Sequence, residues 1–360
     1  MSNDRPAWLL PTPVRRDAPQ AGAGLRALLL RLMRGENLSR ADAAALLDAL
    51  LDESATDAQI AGALVALALK GETVEELTGM AEAMRARAVR IHARHACFID
   101  TAGTGSSAAK TFNVSTAAAF VIAGAGLPVA KHGSRAATSR SGSADVLNAL
   151  GVHVSAAPEV SEECLARIGI CFMFAPLYHG ATARVAGVRR ELGVHTTFNL
   201  LGPLTNPAGA PRQVIGVWHA SLVEPLARTL AALGTERAWV VHGRDGLDEI
   251  TVTDKTLVAE AKDSDVRVFE IEPEDFGIER AALDELRGGD AEMNARIIQS
   301  VLAGERRDAA RSLVIANAAG ALYVGGMGES LLEAAAIAAS SIDTGAASDK
   351  LRQLVEATNA

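Results

Sequence analysis

The amino-acid sequence predicts an α/β protein in which a small all-helical N-terminal domain precedes a larger domain built around a mostly parallel sheet. Apolar residues in 24–90 recur only at helical spacing, whereas from Cys97 onward short β-type runs alternate with helical stretches. Aromatic residues make up 4% of the chain, which favours helices over a β-sandwich. The length of 360 residues also favours two domains over one.

The helical prediction for residues 24–90 depends on start and stop signals. Three capping-box pairs each precede an apolar run at helical spacing: Ser39 with Asp42, Thr56 with Gln59, and Thr73 with Glu76. Gly35 and Gly71 stand where helices should end. We therefore expect a disordered extension over residues 1–22, a helical domain over 23–92 that later helices can complete, and an α/β domain over 93–360.

The α/β prediction depends on six short apolar runs, at residues 97–100, 128–131, 170–174, 214–218, 238–242 and 266–271. Helices are expected between them, over 115–125 and 143–150 among others, and from about residue 279 to the end. Because strands that alternate with helices usually pair in parallel, we expect a largely parallel sheet.

Charge, hydropathy and cysteine content argue against several classes of function. The formal net charge of −8 argues against a nucleic-acid partner, which would need a basic surface. The apolar run over residues 117–129 is too short to span a membrane and is interrupted by Gly124 and Gly126. Three cysteines, Cys97, Cys164 and Cys171, are too few for a disulfide framework and predict a cytoplasmic protein.

One window of the chain is free of acidic residues. No Asp or Glu occurs between Asp100 and Asp145, although the whole protein is acidic. The same window holds the basic residues Lys110, Lys131, His132, Arg135 and Arg140. A positive, Gly/Ser/Thr-rich window in an acidic protein predicts a binding site for a multiply charged anion.

Two Gly/Ser-rich segments of this window lie where a strand should pass into a helix. In residues 100–116, the expected turn and helix start are formed by Gly103, Gly105, Ser115 and Thr116. In residues 130–151, the expected bend and helix start follow Lys131 and contain Gly133, Ser139, Ser141 and Ser143. Backbone N–H groups at such turns bind phosphate. Two such segments predict a substrate with phosphates at both ends.

Two better-known phosphate motifs fail on this window. A P-loop needs Gly at the positions of Thr104 and Ala109. The dinucleotide fingerprint fits loosely over residues 103–108, but it needs an acid about 20 residues later. No acid occurs before Asp145, so neither motif explains the window.

Ordered stretches along nearly the whole chain after the first residues match one known family. They are GTGSS (103–107), NVST (113–116), KHGSR (131–135), FMFAPLYH (172–179), VRRELGVHTTFNLLGPLTNP (188–207), the pair Asp248 and Glu249, LRGGDAEMNA (286–295) and NAAGALYV (317–324). In these stretches the chain resembles the anthranilate phosphoribosyltransferases of tryptophan biosynthesis. The resemblance implies a nucleoside phosphorylase/phosphoribosyltransferase-like fold, Mg²⁺ as cofactor, and a homodimer formed through the helical domain. It also implies transfer of phosphoribosyl from 5-phosphoribosyl 1-diphosphate to the amino group of anthranilate.

The family's residue roles can be carried over position by position. Donor binding is implied for Gly103, Ser106, Ser107, Thr111, Asn113, Val114, Ser115, Thr116, Lys131, His132, Gly133, Ser139 and Ser143. Acceptor binding is implied for Gly103, His132, Ser134, His179, Arg189, Gly202 and Pro203. Metal binding is implied for Ser115, Asp248 and Glu249. Lys131 and Arg189 are the residues expected to support catalysis.

Two departures from the family pattern keep alternatives open. Ser106 and Ser107 replace a Gly-Asp pair, which removes a carboxylate beside the diphosphate and leaves the number of metal ions open. Ser134 replaces an Asn that faces the aromatic substrate, so another aromatic amine or a nitrogen heterocycle stays open as the acceptor. A non-catalytic relative and a nucleoside phosphorylase are further alternatives. The retained Lys131 argues against the first and Arg189 against the second.

Overall fold

The computed structural model describes residues 21–105, 111–136 and 141–360. A helical N-terminal layer lies beside a larger α/β part, as predicted. The N-terminal layer consists of α1 (Ala21–Met33), α2 (Arg40–Leu51), α3 (Asp57–Lys70) and α4 (Val74–Arg87). Among the described residues, no helix is long and apolar enough to cross a membrane.

The predicted caps begin three of these helices. Thr56 and Thr73 form complete capping boxes at the starts of α3 and α4. The Ser39 side chain caps α2 by accepting from the Asp42 N–H. The predicted return bond from the Ser39 N–H to the Asp42 carboxylate is wrong, and that carboxylate accepts from the Arg31 guanidinium at 2.8 Å instead. Gly35 and Gly71 have φ values of 72° and 81° at the ends of α1 and α3, as expected of helix-ending glycines.

The described residues form one seven-stranded sheet with the strand order β3-β2-β1-β4-β5-β6-β7. The strands are β1 (Ile99–Gly103), β2 (Val129–Gly133), β3 (Ile170–Phe174), β4 (Arg212–Gly216), β5 (Arg237–Gly243), β6 (Thr256–Lys262) and β7 (Asp265–Ile271). The first five strands pair in parallel, and β6 and β7 extend the sheet in antiparallel fashion. Six strands were predicted within about three residues of these bounds.

Strand β6 was missed because a charged residue interrupts its apolar pattern. Glu260 is only 2% exposed in the middle of this strand. It accepts hydrogen bonds from Arg237 Nε at 2.7 Å, Arg267 Nε at 2.6 Å and Trp239 Nε1 at 3.2 Å. Because these partners lie on the two neighbouring strands, the sheet itself stabilises a carboxylate that the local sequence marks as exposed.

Helices cover both faces of the sheet. They are α5 (Val114–Gly124), α6 (Ser143–Ala149), α7 (Pro158–Ile168), α8 (Ala175–Tyr178), α9 (Ala183–Leu192), α10 (Thr197–Leu204), α11 (Val223–Ala232), α12 (Ala291–Leu302), α13 (Ala309–Val324), α14 (Leu331–Asp343) and α15 (Ala346–Thr358). The predicted helices over 115–125 and 143–150 correspond to α5 and α6. The predicted helical C-terminal region corresponds to α12–α15.

Two buried clusters form the core. One joins α5 and α12–α15 to one face of the sheet. The other joins α1–α4 to the opposite face through residues of α9, α10 and α11, including Val185, Leu201 and Leu226. The later helices α9 and α10 thus pack with the N-terminal layer. The domain boundaries placed at residues 22 and 92 stay predictions.

Candidate active site

A cleft opens at the carboxyl ends of β1, β2 and β4, next to the start of α5. Its cavity of about 670 Å³ is lined by residues from both Gly/Ser-rich segments and by Asp248 and Glu249. Strand β1 lies between β2 and β4, so the chain runs to opposite sides of β1 at this point. Ligands of parallel α/β sheets bind at such switch points, because the loops after the two strands diverge there.

The floor of the cleft is formed around Lys131, which ends in the interior and is only 3% exposed. Its Nζ donates to the Thr101 carbonyl and lies 3.3 Å from Ser115 Oγ. Strand β2 thus supplies an ammonium group directly to the first turn of α5. Lys131 also lines the cavity, so its positive charge faces the cleft as well as the Ser115 hydroxyl.

A buried carboxylate stands behind Lys131. Asp100 Oδ1 accepts from the His132 backbone N–H at 3.1 Å, and Asp100 Oδ2 accepts from Asn206 Nδ2 at 2.7 Å. Asn206 also donates to the Ala130 carbonyl at 2.9 Å. These bonds join β1 and β2 to the loop after α10, and they hold the Lys131 backbone in place.

Asp248 and Glu249 lie in the turn after β5, and two features of the fold set their position. Gly216, at the end of β4, packs against the Asp248 backbone so closely that a methyl group there would overlap the Asp248 carbonyl oxygen. The next residue, Ile250, is held at both backbone groups by Asn317 of α13. Its N–H donates to Asn317 Oδ1 at 2.9 Å, and its carbonyl accepts from Asn317 Nδ2 at 2.9 Å.

The charged groups of the floor lie in a poorly solvated region. Burial and the neighbouring Asp248 charge raise the pKa of Glu249 to about 8, while Lys131 and a hydrogen bond from the Ser115 N–H oppose the shift. Burial lowers the pKa of Lys131, and the charges of Asp100 and Glu249 oppose that change. Burial also raises the pKa of Asp100 to about 6. Charges brought into such a region interact more strongly than they would in water.

The first Gly/Ser-rich segment contributes several of the predicted donor residues to the cavity wall. Those on the wall are Gly103, Thr111, Asn113, Ser115 and Thr116. The Val114 side chain is fully buried, so only its backbone can face a ligand. The Thr116 hydroxyl is buried and has no hydrogen-bond partner among the described residues. Ser106 and Ser107 lie outside the described residues.

The second segment is shaped by a carboxylate at the start of α6. Gly133, Ser134 and Ser143 lie on the cavity wall, and Ser143 Oγ donates to the Ser134 carbonyl at 3.3 Å. Asp145 Oδ2 accepts from the backbone N–H groups of Gly142 and Ala136, each at 2.9 Å. These two N–H groups therefore hold the loop together. The predicted donor residue Ser139 lies outside the described residues.

The predicted acceptor residues fall into two layers. Gly103, His132 and Ser134 line the cavity, and the Ser134 side chain is exposed there. His179, Gly202 and Pro203 lie off the wall, around His132. His132 Nδ1 is 3.2 Å from the Gly202 carbonyl, which fixes Nδ1 as the donor, and the His132 and His179 rings are 5.1 Å apart.

The two imidazoles are kept neutral. Burial, the adjacent His179 and Lys131 lower the pKa of His132 to about 3, against the opposing effect of the Gly202 carbonyl. Burial lowers the pKa of His179 to about 4. Among the described residues, neither Nε2 atom has a hydrogen-bond partner. His132 therefore presents a neutral, partly apolar ring to the cleft, with the neutral His179 ring behind it.

Arg189 does not line the cavity but lies behind Asn199, which does. Its guanidinium is 5.3 Å from the Phe198 ring and donates to Asn199 Oδ1 at 3.5 Å, and Asn199 itself lines the cavity. Burial lowers the pKa of Arg189, and no acidic side chain among the described residues opposes that change. The structure thus places a desolvated cation next to the cleft rather than on its surface.

Several cavity residues were not predicted from the sequence: His195, Asn199, Gly288, Gly289 and Asn294. His195 stacks on Trp218, with ring centroids 4.3 Å apart, and so fixes the loop before α10 against the end of β4. The stretches 188–207 and 286–295 were recognised as family matches. That match was the available signal, but it did not show which of their side chains face the cleft.

The chain matches two family models in succession. The glycosyl transferase family, helical bundle domain, matches residues 26–88, and the glycosyl transferase family, a/b domain, matches residues 95–348. An anthranilate phosphoribosyltransferase from Anaeromyxobacter dehalogenans (strain 2CP-C) is 55% identical over 330 residues, covering 92% of this chain and 97% of the relative. One from Moorella thermoacetica is 50% identical over 331 residues, with the same coverage of both chains.

Solved structures show the same likeness. The anthranilate phosphoribosyltransferase from Thermus thermophilus matches with a TM-score of 0.88 at 40% identity, covering 92% of this chain and 99% of that chain. The enzyme from Saccharomyces cerevisiae in complex with PRPP and Mg matches with a TM-score of 0.85 at 27% identity, covering 94% of this chain and 98% of that chain. The chain belongs to the anthranilate phosphoribosyltransferase family.

Proposed function

We infer that the chain transfers the phosphoribosyl group of 5-phosphoribosyl 1-diphosphate to the amino group of anthranilate, releasing diphosphate, in tryptophan biosynthesis. This inference depends on one observation: Lys131 and Glu249 both contact Ser115 at the switch point of the sheet. A buried cation and a half-buried acid flank the first turn of α5, a helix with no acidic residue in that turn. This arrangement suits a polyanion that binds together with a divalent cation.

The residue types agree with displacement of diphosphate from C1 of the ribose. Positive charge develops on the sugar while negative charge collects on the leaving group, and the Lys131 ammonium lies where it can stabilise the latter. An aryl amine is neutral at pH 7, so the attack needs no strong general base. Catalysis would then depend on positioning the two substrates and on electrostatic stabilisation of diphosphate.

The residues in the cleft fit Mg²⁺ held jointly with the substrate. Over the described ranges, no three His, Cys, Asp or Glu side chains cluster into a complete metal site. Mg²⁺ is usually bound by one or two carboxylates, with substrate phosphates and water completing its shell. Asp248 and Glu249 supply those carboxylates beside Ser115, and the raised pKa of Glu249 reflects burial together with crowded negative charge. When bound, the ion would neutralise charge on the departing diphosphate.

The acceptor is proposed to approach along His132 and Asn199. Arg189 would attract its carboxylate, because it is the desolvated cation on that side of the cleft. The neutral His132 ring lines the cavity and packs on His179, so it offers a surface against which an aromatic ring can lie. A different aromatic amine stays the second candidate acceptor, since the exposed Ser134 leaves room and few fixed hydrogen bonds.

The function can be tested by mixing purified protein with the donor, Mg²⁺ and anthranilate, and following the loss of anthranilate fluorescence. We expect turnover that requires all three components. The double variant Asp248→Ala, Glu249→Ala should nearly abolish it. Wild-type kinetics of that variant at limiting Mg²⁺ would show that the metal assignment is wrong.

A substrate panel separates the two candidate acceptors. Substituted anthranilates and anilines that lack a carboxylate should be compared in the wild type and in Ser134→Asn. We expect anilines to be poor substrates, and Ser134→Asn to sharpen discrimination among ring-substituted anthranilates. If anilines react as well as anthranilate, Arg189 does not bind the acceptor carboxylate, and anthranilate is not the specific acceptor.

A homodimer through the N-terminal layer is also proposed. Leu69 and Val65, one turn apart on α3, are 84% and 38% exposed, a costly arrangement for large apolar side chains in a monomer. Sedimentation should give a dimer for the wild type and a monomer for Leu69→Glu, whereas a dimeric Leu69→Glu would place the interface elsewhere. The cytoplasmic location and the lack of a nucleic-acid partner stay predictions from composition.

A further inference from the structure

The segment over residues 286–294 carries none of the proposed substrate or metal contacts, yet it lies against the first Gly/Ser-rich segment of the cleft and is linked to the second through Asn113. Arg287 forms an isolated antiparallel bridge with Thr111, within the first segment. Gly288 and Gly289 line the cavity directly. The segment therefore forms a third wall of the cleft.

One buried side chain anchors this wall. Asn294, at 2% exposure, accepts from the Gly289 N–H through Oδ1 at 2.7 Å and donates from Nδ2 to Asn113 Oδ1 at 3.0 Å. Asn113 Oδ1 also accepts from Ser141 Oγ at 3.2 Å, and Asn113 Nδ2 donates to the Ser141 carbonyl at 3.2 Å. A single polar network thus joins the start of α5, the loop before α6 and the third wall.

This network gives the Asn113 side chain a structural role. Both ends of its side-chain amide are engaged by Asn294 and Ser141, so the side chain is held by protein groups. Asn113 is also the residue that begins α5, whose next residues include Ser115. Any displacement of Asn113 would move the first turn of α5 relative to Lys131.

Close backbone packing fixes the same wall independently of the hydrogen bonds. A methyl group on Gly288 would lie 2.5 Å from the Phe112 nitrogen and 2.6 Å from the Thr111 carbonyl carbon. Because both are backbone atoms, neither can turn aside as the end of a flexible side chain would. Alanine at this position would push the third wall away from residues 111 and 112.

We propose that Asn294 and Gly288 are positioning residues for the phosphoribosyl donor, acting through Asn113 and the backbone of residues 111–112. The role rests on the proposed use of 5-phosphoribosyl 1-diphosphate. It predicts an effect confined to the donor, since the hydrogen bonds of the network involve no side chain of the acceptor residues Arg189 and Asn199. The variant Asn294→Asp separates the two hydrogen bonds of this side chain, because a carboxylate still accepts from Gly289 but can no longer donate to Asn113.

The test measures donor binding by calorimetry with Mg²⁺, and the KM for anthranilate, in Asn294→Asp and Gly288→Ala. Both variants should bind the donor at least about tenfold more weakly while the anthranilate KM stays within about twofold. Asn148→Asp, at an exposed position of α6, is the matched control for added charge and should bind the donor as the wild type does. Thermal unfolding identifies variants that do not fold. If Asn294→Asp does not fold, donor binding by Gly288→Ala, which removes no hydrogen-bonding group, tests the positioning role.

The outcomes distinguish the role from the function on which it rests. Wild-type donor affinity in folded variants would overturn the positioning role alone. Equal losses for donor and acceptor would also overturn it, because they would indicate a general loss of structure. A wild-type protein that does not bind the donor in the presence of Mg²⁺ would instead overturn the proposed function.

Discussion

Replacing Gly216 with alanine should disable the turn proposed to bind Mg²⁺ without removing any group proposed to touch a substrate. The added methyl carbon would lie 2.6 Å from the Asp248 carbonyl carbon and would overlap the attached oxygen. Carbon atoms pack at about 3.5–4.0 Å. Asp248 and β4 must therefore separate by at least about 1 Å, and Glu249 must move with its neighbour.

The size of the effect follows from that displacement. A misplacement of about 1 Å in a positioned group can lower a rate by about a hundredfold, which corresponds to about 2.7 kcal/mol of transition-state stabilisation. We expect Gly216→Ala to lower kcat/KM for the donor by about that factor. The Mg²⁺ concentration needed for half-maximal activity should rise, because Glu249 would no longer lie against the Ser115 backbone as it does now.

The assay is the loss of anthranilate fluorescence over a titration of Mg²⁺, with circular dichroism to verify folding. Gly62→Ala is the matched control, since a methyl group there meets only Leu29 at the ordinary distance of 3.7 Å. This control should keep wild-type kinetics and gain slightly in stability as a helical Gly→Ala change. A folded Gly216→Ala with kcat/KM within about threefold of the wild type would refute the reasoning.

Three further predictions concern single side chains. Lys131→Ala should weaken donor binding by roughly ten- to a hundredfold, since a charge-assisted contact contributes about 1.5–3 kcal/mol; unchanged calorimetric affinity would exclude that role. Asn317→Ala should destabilise the fold by about 1–3 kcal/mol or more, because two buried backbone groups of Ile250 lose their partner, and it should raise the Mg²⁺ requirement. Denaturation with a parallel Mg²⁺ titration checks both effects, and an unchanged titration would limit Asn317 to stability. Arg189→Ala should raise the KM for anthranilate far more than that for the donor, and steady-state kinetics showing equal changes would contradict an acceptor role.

Sequence patterns located the candidate site better than they described its contacts. The acid-free window and the two Gly/Ser-rich segments do line the cleft, together with Asp248 and Glu249. Arg189, by contrast, lies behind Asn199, although no sequence pattern favours one over the other as a wall residue. The choice depends on how α9 and α10 pack against each other, which their individual helical patterns do not specify.

Local sequence determined the elements whose causes are local. Caps, helix-ending glycines and apolar spacing predicted α2–α4, and short apolar runs predicted six strands, because these signals act between residues a few positions apart. Family-specific stretches added the reaction and the substrates, since they combine many positions at once. The acid-free window could also be recognised from the sequence, because an anion-binding site excludes nearby acidic residues however the helices and strands pack.

Only the tertiary structure decided which groups are buried together. Glu260 became a core strand residue because Arg237 and Arg267 of adjacent strands pair with it. Asn294 became part of the proposed donor site because it reaches Asn113, 181 positions earlier in the chain. The cost of burying a polar or charged group depends on the partners present at that point in space, and a one-dimensional pattern does not contain those partners.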